Sequence, residues 1–280
     1  MNTKKSMVIY HTYADKPCHD GFTAAWIACK YLPEDTILIA AKYGDPAPDV
    51  TGSDVYVLDF SFPRDVLIRM NEQAAHLVVL DHHATAQREL EGLDFCQFST
   101  ERSGAMMAWD FFREDGDTCP ELVKHVQDRD LWRWELPHSK GVSAYLTTVR
   151  TDFESWTEAA RLIQFELEAV VSQGAAVLRY IDQYVEGMKK NSYLVSFEGH
   201  KVPMVNAPKF ANSELLGELA KKYPFAISWL KRADGLYEYS MRARGSGVDV
   251  GEIASRMTYE EHKGGGHANA AGFVLDRLIA

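Results

Sequence analysis

Short apolar runs alternate with helical spacing along the first 130 residues. Ser6 to His11, Thr36 to Ala41, Val55 to Asp59, His76 to Asp81 and the weaker Phe95 to Ser99 have the length and apolar content of buried strands. Between them, Gly21 to Leu32 carries Phe22, Ala25, Trp26 and Cys29 at helical intervals. Pro63 suits the first turn of a helix running to about Ala75, because its missing N–H is not needed there. Gly104 to Phe112 and Leu122 to Val126 read as further helices. This alternation predicts an α/β fold with an N-terminal doubly wound, mostly parallel sheet.

From Glu154 to about Lys190 the chain is apolar at helical intervals, with Ser172-Gln173-Gly174 as the main turn signal, and reads as a long or broken helix. Beyond it, Tyr193 to Phe197 and Val202 to Val205 flank a Glu198-Gly199-His200 turn. A helix over Ser213 to Lys222 follows, with Ser213 as its N-cap. Ala226 to Lys231 and Tyr237 to Ala243 flank the hairpin signal Ala233-Asp234-Gly235. A helix from about Val250 to Met257 and a last strand near Ala271 to Leu275 complete the pattern. The expected division is a domain over 1–150, a helical connector over 151–191 and a smaller α/β domain over 192–280.

A length of 280 residues is long for a single core and agrees with two domains. No apolar run reaches the roughly 18 residues of a membrane span. The four cysteines are scattered without a Cys-x-x-Cys pair, which argues against a disulfide framework and predicts a reduced, cytoplasmic protein. Residues 192–280 hold 11 Lys and Arg against 10 Asp and Glu, leaving 19 against 30 for the rest. An acidic body does not suit charge-driven binding of long duplex nucleic acid, but it suits a site for cations.

Chemistry concentrates at the predicted strand ends. The first strand closes on His11, with Asp15 and Asp20 in the loop after it, and the third closes on Asp59. The fourth closes on Asp81-His82-His83, and a helical segment runs into Asp128-Arg129-Asp130. In a parallel sheet all strand C-termini face one crevice, so residues 120 positions apart would converge there. Mixed carboxylate and imidazole donors favour Mn²⁺, Fe²⁺, Co²⁺ or Zn²⁺ over all-oxygen Mg²⁺ or Ca²⁺ sites. Several carboxylates in one crevice repel one another unless cations intervene. Two metals, able to hold a hydroxide and clamp an in-line displacement at phosphorus, fit better than one and point to phosphoester hydrolysis.

Asp81-His82-His83 resembles the signature of the DHH phosphoesterases. The tail resembles their DHHA1 domain through Tyr239-Ser240-Met241-Arg242, Val248-Asp249-Val250 with Ile253-Ala254, Gly264-Gly265-Gly266-His267 and Ala270-Ala271-Gly272-Phe273. The resemblance implies His11 and Asp20 as metal ligands, Asp59 as the carboxylate bridging two ions, and His82 on the second ion. It implies Asp81 as a support at ligand distance or one layer out, and His83 as the residue facing substrate phosphate. Asp128 would complete the second ion's shell, with Asp130 competing for that place. The expected cofactor is Mn²⁺ as two ions, with Mg²⁺ or Co²⁺ as substitutes. The first motif departs from the family's commonest His, Asp-x-Asp form, since Cys18 stands two before Asp20. Three outcomes stand open: Asp15 folds back to replace the absent carboxylate, Cys18 ligates a softer metal, or the first metal position is only weakly occupied.

In the tail, consecutive glycines permit positive φ and close backbone approach, so Gly265 and Gly266 could bring N–H groups to a phosphate, with His267 as a further donor. Arg242 shares a strand face with Ser240 and could pair with phosphate or stack on a base. Arg102-Ser103-Gly104 precedes a helix whose N-terminus suits an anion, with Ser103 as an ordinary cap and Arg102 as a second phosphate candidate. Trp132 and Trp134 read as packing residues, outside the site.

The leading expectation is a two-metal phosphoesterase acting on short oligonucleotides, cyclic dinucleotides or nucleotide phosphates, with no membrane partner and a homodimer as one permitted assembly. The alternatives are a pyrophosphatase or exopolyphosphatase, and a nucleotide-binding protein whose metal site has degenerated.

Overall fold

β1 (Ser6–His11), β2 (Ile37–Ala41), β3 (Asp54–Leu58), β4 (His76–Asp81) and β5 (Cys96–Phe98) form an all-parallel sheet in the order β2-β1-β3-β4-β5. The computed structural model describes residues 5–13, 17–260 and 262–279. β1 and β4 have the bounds the apolar pattern predicts. Strand alternation sends Met7, Ile9, Val55, Val57, Leu77 and Val79 to one face of the sheet, and Val8, Leu58 and Leu80 to the other.

The first face is covered by Leu67 and Met70 of α2 (Arg64–Gln73) with Phe60, Phe62 and Leu90. On the second lie α1 (His19–Ala28), α4 (Gly104–Phe112), α5 (Glu121–Asp130) and α7 (Phe153–Phe165). α1 is buried from Asp20 through Ala28. A helix that is apolar almost all round needs cover on every side. Two indoles tie it down: Trp26 Nε1 donates to Thr157 Oγ1 and Trp156 Nε1 to Thr23 Oγ1, each at 3.0 Å. Two short helices carry no clear periodic signal in the sequence, α3 (Ala84–Glu89) and α6 (Ser139–Leu146).

The sheet order places β1 and β3 side by side while their connections leave in opposite directions, which opens a crevice at their C-terminal ends. His11 ends β1, and Asp59 directly follows β3.

The chain divides into two compact units, 1–178 and 179–280. α8 (Leu167–Lys189) runs through the division. The helical stretch breaks at Glu166 (φ −134°, ψ 40°), not at the expected Ser172-Gln173-Gly174 signal. Gly174 is a packing glycine: a Cβ there would stand 1.9 Å from the Gly141 carbonyl oxygen, so its bare backbone lets α6 and α8 meet.

The second unit carries a mixed sheet in the order β12-β13-β9-β8-β7-β6. Its strands are β6 (Tyr193–Phe197), β7 (His200–Asn206), β8 (Phe225–Lys231), β9 (Tyr237–Ala243), β12 (Gly265–His267) and β13 (Ala270–Leu275), with β10 (Thr258–Tyr259) and β11 (His262–Lys263) as a separate antiparallel pair. Glu198 (φ 48°) and Gly199 (φ 77°) make the two-residue turn between β6 and β7. α9 (Asn212–Leu219) begins one residue before the expected helix, after Ala211 in the left-handed region. Ser213 is therefore not its N-cap, and its hydroxyl accepts from Arg242. α10 (Val250–Ser255) is capped by Asp249, whose Oδ1 accepts from Glu252 N at 2.9 Å.

Candidate metal centre

Three donor groups converge at the crevice: His11, Cys18 and Asp59; Asp59, His82 and His83; and Asp20, His82 and Asp130. In each, one donor atom per residue lies within 4.8 Å of the others. Asp59 joins the first two groups, and His82 joins the last two. His82 Nε2 is 3.1 Å from Asp59 Oδ1, 3.5 Å from Asp130 Oδ2 and 3.8 Å from Asp20 Oδ2. On the other side of Asp59, Oδ2 is 3.4 Å from both His11 Nδ1 and the Cys18 thiol, which donates to it.

Close packing of two glycines makes this convergence feasible. A Cβ on Gly21 would lie 2.4 Å from the His11 carbonyl oxygen, so α1 can start against the end of β1 and bring Cys18 and Asp20 inward. A Cβ on Gly104 would lie 2.4 Å from Asp59 Cβ. The N-terminus of α4 thus reaches the cluster, and its anion is internal: Asp20 Oδ2 accepts from Gly104 N at 2.6 Å and Oδ1 from Ala105 N at 3.0 Å. Ser103 caps the same helix through Met106 N. Arg102 pairs with Asp110 at 3.3 Å instead of with an acid of the cluster.

Asp59 has φ 59°, a left-handed conformation that costs a non-glycine residue free energy and concentrates at functional sites. Its peptide N–H still reaches Leu80 O at 2.8 Å, so the turn is held by the neighbouring strand.

Burial, then the charges of Asp59 and Asp130, push the Asp20 carboxyl well above its usual range. Burial likewise raises Asp130. It also raises the Cys18 thiol well above normal, reinforced by Asp59 and Asp20. Burial acts to raise Asp59 too, but His11 and His82 outweigh it and hold Asp59 well below the ordinary range. For His82 burial favours the neutral ring, yet the surrounding carboxylates win and push it up to about 10. One buried imidazolium balances the acids only in part, and a divalent cation is the natural completion.

The donor set fits such an ion. His11 Nδ1 and Asp59 Oδ1 are buried without a hydrogen bond of acceptable geometry, although charged partners stand 3.4 and 3.1 Å away. Atoms that are close yet misaligned are what a shared third atom between them would produce. The Asp59, His82, Asp20 and Asp130 donors are hard oxygens plus imidazole, whereas Cys18 adds a soft donor to the His11 side.

Asp81 has a different role. It is fully buried and accepts from His82 N (2.7 Å), His83 N (3.1 Å), His83 Nδ1 (2.6 Å) and Ser61 Oγ. With its lone pairs so engaged, it orients the two histidines and holds a proton on His83 Nδ1. Ser61 has no place in the sequence expectation; a lone hydroxyl between Phe60 and Phe62 is its only signal.

Replacing Asp81 with asparagine should lower metal affinity roughly 10- to 100-fold while the fold persists. In the metal-free chain the pair also sets a pH window. Burial opposes both charges, but hydrogen bonding between them lowers Asp81 and raises His83. A lowered carboxyl contributes stability above about pH 4 and loses it as pH falls through the folded value; a raised histidine contributes below about pH 6.5 and loses it as pH rises. The melting difference between parent and Asp81→Asn in chelator should be widest between about pH 4 and 6.5. A difference that stays flat from about pH 3 to 9 would refute the pairing.

Asp128 and Asp130 fall on opposite sides of α5, because residues two apart on a helix cannot share a face. Asp130 reaches His82 and keeps about 30 % of its side-chain exposure. Asp128 turns away: its Oδ1 accepts from Glu135 N at 2.9 Å and its Oδ2 from Leu136 N at 3.3 Å. Asp15 lies outside the described residues.

The tail candidates lie in the second unit. Arg242 is half-buried on β9, with Nη1 donating to Met241 O at 2.8 Å and Nε and Nη2 each 3.4 Å from Ser213 Oγ. Gly265, Gly266 and His267 form β12, paired to β13. A Cβ on Gly264 would meet Ala254 O at 2.2 Å, and one on Gly266, at φ 143°, would meet Ala270 O at 2.4 Å. Those two glycines serve close packing, while Gly265 borders open space.

A solved DHH domain, from a protein grouped with a family of ribosomal proteins, superposes with a TM-score of 0.61 at 13% identity, over 96% of this chain and 82% of that one. Residues 190–278 match the DHHA1 domain. That tail is a DHHA1 domain, and the chain as a whole shares the fold of the solved DHH domain. Uncharacterized protein R106 of Acanthamoeba polyphaga mimivirus is 28% identical over 298 aligned positions, covering 97% of this chain and 68% of the viral protein. An exopolyphosphatase-related protein from Bacteroides fragilis gives a TM-score of 0.43 at 14% identity, over 96% and 86% of the two chains. Among the described residues, no helix is long and apolar enough to cross a membrane.

Proposed function

We propose that this chain is a metal-dependent phosphoesterase that hydrolyses small nucleotide-type substrates, with Asp59 as the carboxylate shared by two ion sites. The observation that carries the reading is the double membership of Asp59: His11 and Cys18 meet one of its oxygens, and His82 meets the other. His11, Cys18 and Asp59 would hold one divalent ion; Asp59, His82, Asp20 and Asp130 would hold the second. When bound, the ions supply Lewis acidity toward a phosphoryl oxygen.

The chain's own residues do the rest. Asp81 holds His83 in one tautomer and stabilises its protonated form, so His83 Nε2 is the group to orient the substrate phosphate or give a proton to the departing oxygen. Gly104 N and Ala105 N keep the Asp20 carboxylate in place. Mn²⁺ is the assigned metal for the oxygen-rich side, and the reading places the chain in the cytoplasm, where its free cysteines stay reduced.

The test is hydrolysis with Mn²⁺ of a dinucleotide, a cyclic dinucleotide, a nucleoside bisphosphate and polyphosphate. Cleavage of a nucleotide substrate that chelator abolishes is the expected result. Cleavage of polyphosphate alone would replace the substrate assignment, and tight nucleotide binding with no turnover at saturating Mn²⁺ would overturn catalysis itself.

A further inference from the structure

The segment directly after Asp130 reads in sequence as packing, yet its first tryptophan is partly exposed. Trp132 is 42% exposed. Trp132 and Trp134 have φ of 56° and 59°, a left-handed backbone that is a genuine outlier for bulky side chains. Their rings meet edge to face with centroids 5.1 Å apart. The Arg129 guanidinium carbon lies 4.4 Å from the Trp132 centroid and 5.5 Å from that of Trp134.

Two strained tryptophans in one turn persist only if the surroundings hold them. The holder is Asp128. Its carbonyl oxygen accepts from Arg133 N (2.9 Å) and Trp134 N (3.5 Å), and its carboxylate accepts from Glu135 N and Leu136 N. A buried carboxylate and four peptide N–H groups are thus devoted to a turn that leaves one indole partly exposed. Burial of apolar surface alone does not explain that arrangement, since two-fifths of the Trp132 surface stays exposed. The turn starts where α5 delivers Asp130 to His82, so the Cα of Trp132 lies at most about 7 Å from the Cα of Asp130, whose carboxylate is one of the candidate donors.

We propose that Arg129, Trp132 and Trp134 form a stacking platform for a nucleobase of the substrate whose phosphate is handled at the metal centre. The proposal rests on the phosphoesterase reading and names what that site selects. An indole backed by a guanidinium offers a flat, polarised surface to any base, and the cation also favours an anionic ligand. Such stacking is sequence-tolerant, so the platform selects for a base without choosing among bases. Asp128 is its positioning residue.

The test compares a 5′-phosphorylated deoxy-diadenylate with the same dinucleotide carrying tetrahydrofuran abasic residues, using the full chain with Mn²⁺. Trp132→Gly removes the ring and relieves the positive φ, so the variant should fold. Its KM for the diadenylate should rise roughly tenfold with kcat little changed, its KM for the abasic analogue should stay at the parent value, and Trp132→Phe should recover much of the loss. Calorimetric binding of adenosine 5′-monophosphate should weaken by a similar factor in Trp132→Gly. Equal changes for both dinucleotides, no change for either, or a parent that does not distinguish them would overturn the platform. If the parent cleaves neither dinucleotide yet binds the monophosphate in a Trp132-dependent way, catalysis falls and the platform stands. If it neither cleaves nor binds, the platform falls too.

Discussion

Asp59→Asn should remove nearly all hydrolysis, about a thousand-fold or more, and leave the chain folded. Asparagine is the informative replacement because it tolerates the left-handed backbone that Asp59 adopts, so charge is lost without a new backbone penalty. The side chain meets His11 and Cys18 at one oxygen and His82 at the other. On the proposed reading, losing its charge should therefore weaken both ion sites together. Metal stabilisation of a transition state is worth several kcal/mol, and each ~1.36 kcal/mol is tenfold in rate, which sets the expected size. Metal content by mass spectrometry should fall in parallel, from two ions toward none, while far-ultraviolet circular dichroism stays unchanged. A variant that keeps both ions and the parent rate would show that the shared carboxylate is not the centre of the site.

Gly104→Ala should damage the fold and the candidate metal site together. Its Cβ would stand 2.4 Å from Asp59 Cβ and 2.8 Å from Asp59 Oδ1, well inside contact distance. Neither neighbour can yield cheaply. Asp59 is fixed by its peptide hydrogen bond to Leu80 O, and α4 is fixed by the Asp20 carboxylate at its first N–H groups. Overpacking of this kind costs about 1–3 kcal/mol, occasionally more, which for a chain of this size lowers the melting temperature by roughly 5 °C. The larger effect is functional, because the shift moves Asp59 and Asp20 together. Metal affinity should drop along with thermal stability. Were Gly104→Ala to melt and bind Mn²⁺ like the parent, the close approach of α4 to Asp59 would not be what builds the site.

Much of the centre was legible because its residues sit where local pattern is strongest. β4 is a central parallel strand buried on both faces, so its sequence is an unbroken apolar run whose end at Asp81 is unmistakable. The same holds for His11 at the end of β1. Parallel pairing then brings these ends together without further information. The competition between Asp128 and Asp130 could not be resolved in this way. Both lie at the end of one helix, and which side faces His82 depends on how α5 is rolled against α1 and α4.

Gly174 and Trp132 misled for related reasons. A glycine has no side chain to reveal whether it breaks a helix or admits a neighbour, and the approach of Gly141 decides the matter from 33 positions away. Tryptophan is apolar by composition, but its exposure follows from a turn that Asp128 imposes with hydrogen bonds.

The sequence by itself determined the α/β alternation, the parallel sheet and the set of acids and imidazoles at its strand ends, because periodicity and strand length are local properties of the chain. Only the tertiary structure decided which of those groups share an atom's width of space. Asp59 became common to two donor groups, Asp20 settled on the N-terminus of α4, Asp81 turned inward as a support, and Asp130 rather than Asp128 reached His82. Those outcomes depend on contacts between residues tens of positions apart, and close packing fixes them to within a few tenths of an ångström, a scale no pattern along the chain records.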